Sequence, residues 1–189
     1  MKLKYLYIIA AIFIVLIIYL RIKISDVQDM NDPCNDSPTV YDSVEKALED
    51  KDTACHLDLS YKNLKTAPAD LYALPNLKIL DLSHNSINGF PQVLLQLANL
   101  RYLDLSYNSI ETIPPGIEKM TNLRTLNLSH TDIFELPDEI GNLDNLTTLG
   151  LAGNGFNEEP EVLLKHRHIK YIDYSGNPFP TNYQMKDIK

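Results

Sequence analysis

Asp81-x-Ser83-His84 places a carboxylate, a hydroxyl and an imidazole within a short run, the side-chain types that a hydrolase combines into nucleophile, base and orienting group. The chemistry fails on uniqueness. Asp and Ser stand at the same spacing at Asp58/Ser60, Asp104/Ser106 and Asp173/Ser175, so the pair is recurring scaffold, whereas a triad is a single oriented set. The sequence holds no phosphate-cradling glycine loop, no HExxH and no Cys/His pattern with metal-ligand spacing. The Asp column sets carboxylates at strand spacing without closing an oxygen shell around a calcium ion. No catalytic residue, metal ligand, cofactor or small-molecule substrate is therefore expected.

The residues that differ from one recurrence to the next are more informative. One position collects His56, Ile79, Tyr102, Thr125, Thr148 and Tyr171; another collects Tyr61, His84, Tyr107, His130, Gly153 and Gly176. Beside the first runs a basic column of Lys78, Arg101, Arg124 and Lys170. Tyrosine and histidine present large amphipathic area at low entropy cost, which is the chemistry of protein recognition surfaces. His56, Tyr61, Ile79, His84, Tyr102, Tyr107, Thr125, His130 and Tyr171 are the expected partner-binding residues. The competing reading is ordinary variation on a solvated surface.

These columns exist because the chain repeats every 23 residues. Leu100 to Asn122 is the clearest copy. Asn108 recurs at Asn85, Asn154 and Asn177, with Thr131 in the slot between, and Leu103/Leu105 recurs at Leu57/Leu59, Leu80/Leu82, Leu126/Leu128, Leu149/Leu151 and loosely at Ile172/Tyr174. Alternating leucines have the period of a strand with one buried face. No single copy can bury that face, so stacked neighbours must share one core. An inward Asn after each strand supplies donor and acceptor to peptide groups that the turn would leave unpaired. Ile113-Pro114 aligns with Ala67-Pro68, Phe90-Pro91, Leu136-Pro137 and Glu159-Pro160. Proline fixes φ and has no N–H, which suits an extended or tightly helical return arm.

The pattern L-x-x-L-x-L-x-x-N-x-L at Leu77 to Ile87 and at Leu100 to Ile110 resembles the leucine-rich repeat family, over about residues 54–179. The 23-residue spacing with its proline is similar to the bacterial and Ras-suppressor-like class. The resemblance implies an α/β leucine-rich-repeat solenoid, here of about six coils, with a parallel sheet on the concave face. It further implies that the concave sheet binds a protein.

The chain begins differently. Tyr5 to Leu20 lacks any charge and is flanked by Lys2, Lys4, Arg21 and Lys23; Leu3 to Ile24 can form roughly 33 Å of helix, so residues 1–24 are expected to span a bilayer as a signal anchor. A cleaved signal peptide is the rival, although no small-x-small pattern follows the apolar run. Flanking charges nearly balance across the span, and export of the following part is expected from the short basic N-terminus and the two cysteines. Residues 25–53 carry nine acidic against two basic side chains, most of the net charge of −8, and form an acidic linker that excludes nucleic acid and anionic lipid. Within it Val44, Ala47 and Leu48 fall on one helical face behind Asp42 or Ser43, an expected N-terminal helical cap over the open edge of the first coil. Cys34 and Cys55 allow one intramolecular disulfide, which would tie that cap to the first coil; two unrelated thiols are the alternative. Residues 180–189 are a tail.

The sequence thus reads as a non-catalytic protein-interaction module held at a membrane through residues 1–24, single-pass, with its repeats outside the cytoplasm in the periplasm or at the cell surface. The alternatives are a structural or adhesive surface protein without a specific partner, and a leucine-rich-repeat adaptor facing the cytoplasm.

Overall fold

A computed structural model describes Cys34 and residues 39–164 and 168–180 of this protein. The chain divides into two units, Met1–Pro38 and Thr39–Lys189. The expected anchor, residues 1–24, and all of the expected tail except Pro180 lie outside the described residues. No helix among the described residues is long and apolar enough to cross a membrane.

Each repeat folds as its leucines require. Strands β2 (His56–Asp58), β3 (Ile79–Asp81), β4 (Tyr102–Asp104), β5 (Thr125–Asn127), β6 (Thr148–Gly150) and β7 (Tyr171–Asp173) pair in parallel and in sequence order. Their central residues Leu57, Leu80, Leu103, Leu126, Leu149 and Ile172 fall in one register. All but Ile172 are buried, and with Leu59, Leu82, Leu105, Leu128 and Leu151 they form one continuous core. Burial at about 25 cal/mol per Å² of apolar surface makes this shared ladder the main stabilising contribution.

The arm that follows each strand is closed by proline and a tight helix. Pro68, Pro91, Pro114 and Pro137 precede 3-10 helices Ala69–Ala73, Gln92–Gln96, Pro115–Lys119 and Asp138–Asn142. The tight turn aims Leu71, Leu94, Ile117 and Ile140 into the core, each almost fully buried. In the next repeat the short α-helix Glu161–Leu164 takes this place and buries Leu163.

Turns leave backbone groups that the Asn column satisfies. Asn85 Oδ1 accepts from Lys62 N and Leu64 N at 3.0 and 2.9 Å, while its Nδ2 donates to Leu59 O and Leu82 O at 2.9 Å. Asn108, Asn154 and Asn177 repeat the arrangement one or more coils on. Thr131 manages part of it: its Oγ1 donates to Leu128 O at 2.8 Å.

The N-terminal end departs from expectation. Among the described residues seven strands stand in the sheet, because β1 (Val40–Tyr41) pairs in parallel outside β2. Strand β1 has no leucine pair and belongs to no 23-residue copy. The helix α1 (Val44–Glu49) forms behind Ser43, whose Oγ accepts from Lys46 N at 3.3 Å, and it buries Val44 and Ala47. A strand, and not that helix, therefore meets the hydrogen-bonding edge of β2.

Candidate functional site

The residue that closes each strand turn adopts a left-handed backbone. Tyr61, His84, Tyr107 and His130 have φ of 56°, 53°, 55° and 53°, and Gly153 and Gly176 continue the column at 63° and 73°. This conformation brings a Cβ too close to the following carbonyl and costs an ordinary residue roughly 1–2 kcal/mol. Backbone bonds hold it in place: Tyr61 N donates to Ser83 O, His84 N to Ser106 O, Tyr107 N to Ser129 O and His130 N to Ala152 O. Identical backbone one strand apart aims the four side chains alike, and their rings stack.

Tyr61 and His84 lie 4.3 Å apart between centroids with planes 9° from parallel; His84 and Tyr107 follow at 4.1 Å and 11°, Tyr107 and His130 at 4.4 Å and 16°. His130 in turn covers Gly153, where any Cβ would collide with the imidazole Nδ1. The stack is therefore continuous over four coils and ends on a glycine. Tyr61 remains 73% exposed and Tyr107 46%.

The expected residues on the strands themselves are less uniform. Tyr171 is 53% exposed, His56, Ile79 and Tyr102 are half-buried, and Thr125 is only 7% exposed, so Thr125 offers little to a partner. Tyr102 OH donates to Asp104 Oδ2 at 3.1 Å. Burial pushes the Tyr102 phenol well above its ordinary value, with the Asp104 and Asp81 charges adding to the effect. Burial lowers the His56 imidazole, against the pull of Asp58.

Between the two aromatic columns runs the carboxylate row. Asp58, Asp81 and Asp104 share one register, and each accepts a backbone bond from the Ser two residues on, at 2.8 to 2.9 Å. The Asp-x-Ser pair thus locks the turn. Asn127 occupies the next slot and donates to Asp104 Oδ2 at 2.8 Å. Burial pushes the Asp81 carboxyl above the usual range; bonds from Ser83 oppose this and the Asp104 and Asp58 charges reinforce it.

Both cysteines are disulfide-bonded, and as the chain has two, the bridge joins Cys34 to Cys55. Sequence reasoning missed a second amide column. Asn76, Asn99, Asn122 and Asn145 donate to the carbonyls of Asp52, Pro75, Ala98 and Thr121 at 2.8 to 2.9 Å, clipping each return arm to the one before. Its 23-residue spacing was present in the sequence as the Asn-Leu at the junction between successive copies. Left-handed φ and ring stacking at the Tyr/His column were also unread, though the glycines in its last two slots signalled the backbone.

Known proteins share this architecture. The family described as leucine rich repeat matches residues 55–110 and 99–156, and the chain belongs to it. A solved leucine-rich repeat protein of Leptospira interrogans is similar at 30% identity and TM-score 0.62, over 76% of this chain and 42% of that one. An internalin of Listeria monocytogenes matches at 20% identity and TM-score 0.60, over 76% and 41% of the two chains. The leucine-rich-repeat ectodomain of the Arabidopsis thaliana receptor kinase SOBIR1 matches at 30% identity and TM-score 0.55, over 66% and 71%. This chain thus spans less than half the length of the first two structures. No curated protein matches. Leucine-rich repeat proteins commonly mediate protein–protein interaction and are typically non-enzymatic.

Proposed function

We propose that this protein is a non-catalytic recognition module whose open sheet face binds a protein partner, and that residues 1–24 display it from a membrane with the repeats outside the cytoplasm. The observation that carries the reading is the Tyr61–His84–Tyr107–His130 stack. Four non-glycine residues keep a left-handed backbone in a column where Gly153 and Gly176 do so without a side chain. Stability alone favours glycine there, so the retained rings point to a surface role. The disulfide and the similarity to a receptor ectodomain support display in an oxidising space.

On this reading 25–53 is an acidic spacer whose end, with β1 and α1, closes the first coil, and 54–179 is the binding body. The test is a pull-down from membranes that carry the full-length protein, with protease accessibility of the repeats measured in intact cells. Tyr102→Ala and Tyr107→Ala are expected to weaken a saturable interaction by more than about 1–2 kcal/mol each. Glu118→Ala and Lys119→Ala, on a return arm, should leave it within about 0.5 kcal/mol. Binding lost in the arm variants but kept in both tyrosine variants would sink the assignment of the face. Absence of any stoichiometric partner would favour a structural or adhesive protein, and protection of the repeats from external protease would favour a cytoplasm-facing adaptor.

A further inference from the structure

The ring stack has two ends, and they are not alike. His84 and Tyr107 have a ring on either side, and His130 lies against the backbone of Gly153. Among the described residues Tyr61 has one ring neighbour only, on its His84 side, and it is the most exposed of their large apolar side chains. Its other face is thus a flat π surface, pre-ordered by the stack behind it. An aromatic face of this kind attracts a cation, and the planar guanidinium stacks on it better than an ammonium does.

The charge around it selects the same partner. The chain carries a net charge of −8. Three residues before Tyr61, Asp58 begins the row that continues through Asp81 and Asp104 on neighbouring strands, about 4.8 Å apart. Asp58 Oδ1 accepts from Ser60 N and Oγ, while no donor among the described residues reaches its Oδ2. The ion pair Lys46–Asp42 lies off this row. Lys46, hydrogen-bonded to Asp42, lowers that carboxyl, and Lys62, next to Tyr61 in sequence, adds a smaller pull in the same direction. Burial raises the Asp81 carboxyl, and the Asp104 and Asp58 charges add to it in smaller measure.

Resting on the recognition reading above, we propose that the partner docks through a basic segment, with one arginine stacked on the free face of Tyr61 and a neighbouring cation over Asp58 and Asp81. An extended segment suits this arrangement, because it presents alternate side chains on one face about 7 Å apart, one for Tyr61 and one for the Asp58 and Asp81 carboxylates paired on adjacent strands. Tyr61 supplies shape and π attraction, and the carboxylates supply the sign of charge.

The experiment titrates the full-length protein, in uncharged detergent micelles, with a fluorescent Gly-Arg repeat peptide and with its Gly-citrulline counterpart, which keeps the planar group and loses the charge. The Gly-Arg peptide is expected to bind saturably and to weaken as salt rises, with the citrulline peptide at least tenfold weaker. Tyr61→Ala should raise Kd at least tenfold, Tyr61→Phe should leave it within about twofold because the ring face survives, and Asp58→Asn should raise it several-fold; circular dichroism and a thermal melt establish that each variant is folded. Equal affinity for both peptides, no binding of the Gly-Arg peptide, or a folded Tyr61→Ala variant that binds as wild type would each overturn the proposal. The recognition reading is tested separately, by the arm and tyrosine variants above. If the native partner is still captured and still depends on Tyr102 and Tyr107 but ignores Tyr61 and salt, the basic-segment assignment is wrong while the open face remains the binding surface.

Discussion

At Gly153 the absence of a side chain is a steric requirement imposed from the coil before. Its φ of 63° disfavours any L side chain, and a Cβ would run into the His130 imidazole. Gly153→Ala is expected to destabilise the protein by about 2–3 kcal/mol, of which roughly 1–2 kcal/mol is the left-handed backbone. In a His130→Ala background the collision is gone and only the backbone part remains, so urea melts of the four members of this cycle should give a coupling of about 1 kcal/mol. Additive losses would mean that the imidazole moves aside freely and that the stack is not rigid. Asp81 makes a second residue-scale case, this time electrostatic. Its carboxyl is raised above the ordinary range by burial and by its neighbours' charges, so the native state holds the proton more tightly than the unfolded chain. Stability from this group is therefore full in acid and is lost as pH rises from the ordinary carboxylate range through the native value. Asp81→Asn should accordingly be more stable than wild type at neutral pH, and the difference should shrink on acidification. Asn127 shows that the substitution fits: it accepts from Ser129 N and donates to the Asp104 carboxylate, a bond whose equivalent toward Asp58 is worth about 0.5–1.5 kcal/mol. A melt series from pH 3 to 8 with parallel curves for the two proteins would contradict the assignment.

The coil is the element in which sequence and structure can be compared slot by slot, and Thr131 is its one irregular slot. Asn108 Oδ1 accepts from Ile87 N, and an Asn at 131 would accept from Ile110 N in the same way; among the described residues Ile110 N has no acceptor within hydrogen-bond distance. Thr131→Asn should fill that gap and stabilise the protein by about 1 kcal/mol in a denaturant melt, and a loss would show that Thr131 is packed against something an amide cannot replace. Such reasoning works because Leu and Asn columns have a physical cause internal to the repeat: buried face, unpaired turn. What the repeat could not reveal is what lies outside its period. Strand β1 is two residues long and has no copy elsewhere, so nothing in Val40-Tyr41 announced a pairing with His56-Leu57. The Tyr/His column was visible as a column. That its members stack depended on backbone dihedrals, which no spacing encodes, and Thr125 looked available only because alternation ignores how close the neighbouring strands' side chains stand. The clipping amides at Asn76 and its equivalents were legible and overlooked, since an Asn beside a core leucine on an exposed arm resembles ordinary surface.

Across the molecule, a core shared between neighbours makes stability depend on position. Leu126 is fully buried between β4 and β6, whereas Ile172, on the last strand among the described residues, is only half-buried and has a described partner strand on one side. Leu126→Ala should cost about 2–5 kcal/mol and Ile172→Ala clearly less, which denaturant melts would read directly; equal losses would contradict a nearest-neighbour solenoid. The N-terminal end is held by other means. Strand β1 offers only two paired residues and α1 only six, too little to stay formed by propensity alone. The bridge from Cys34 to Cys55 closes a loop of about 20 residues that contains both elements, and constraining such a loop is worth on the order of 3 kcal/mol. Cys34→Ser leaves Cys55, a small buried side chain, in place and removes only the constraint. The expected result is local: amide exchange in residues 40–49 should accelerate by one or more orders of magnitude, while exchange at Leu103 and Leu126 stays near the wild-type rate. Wild-type protein under reductant should follow the variant. If residues 40–49 remain protected without the bridge, burial of Val44 and Ala47 and the pairing of β1 suffice to hold this end, and the disulfide contributes nothing to closing the first coil.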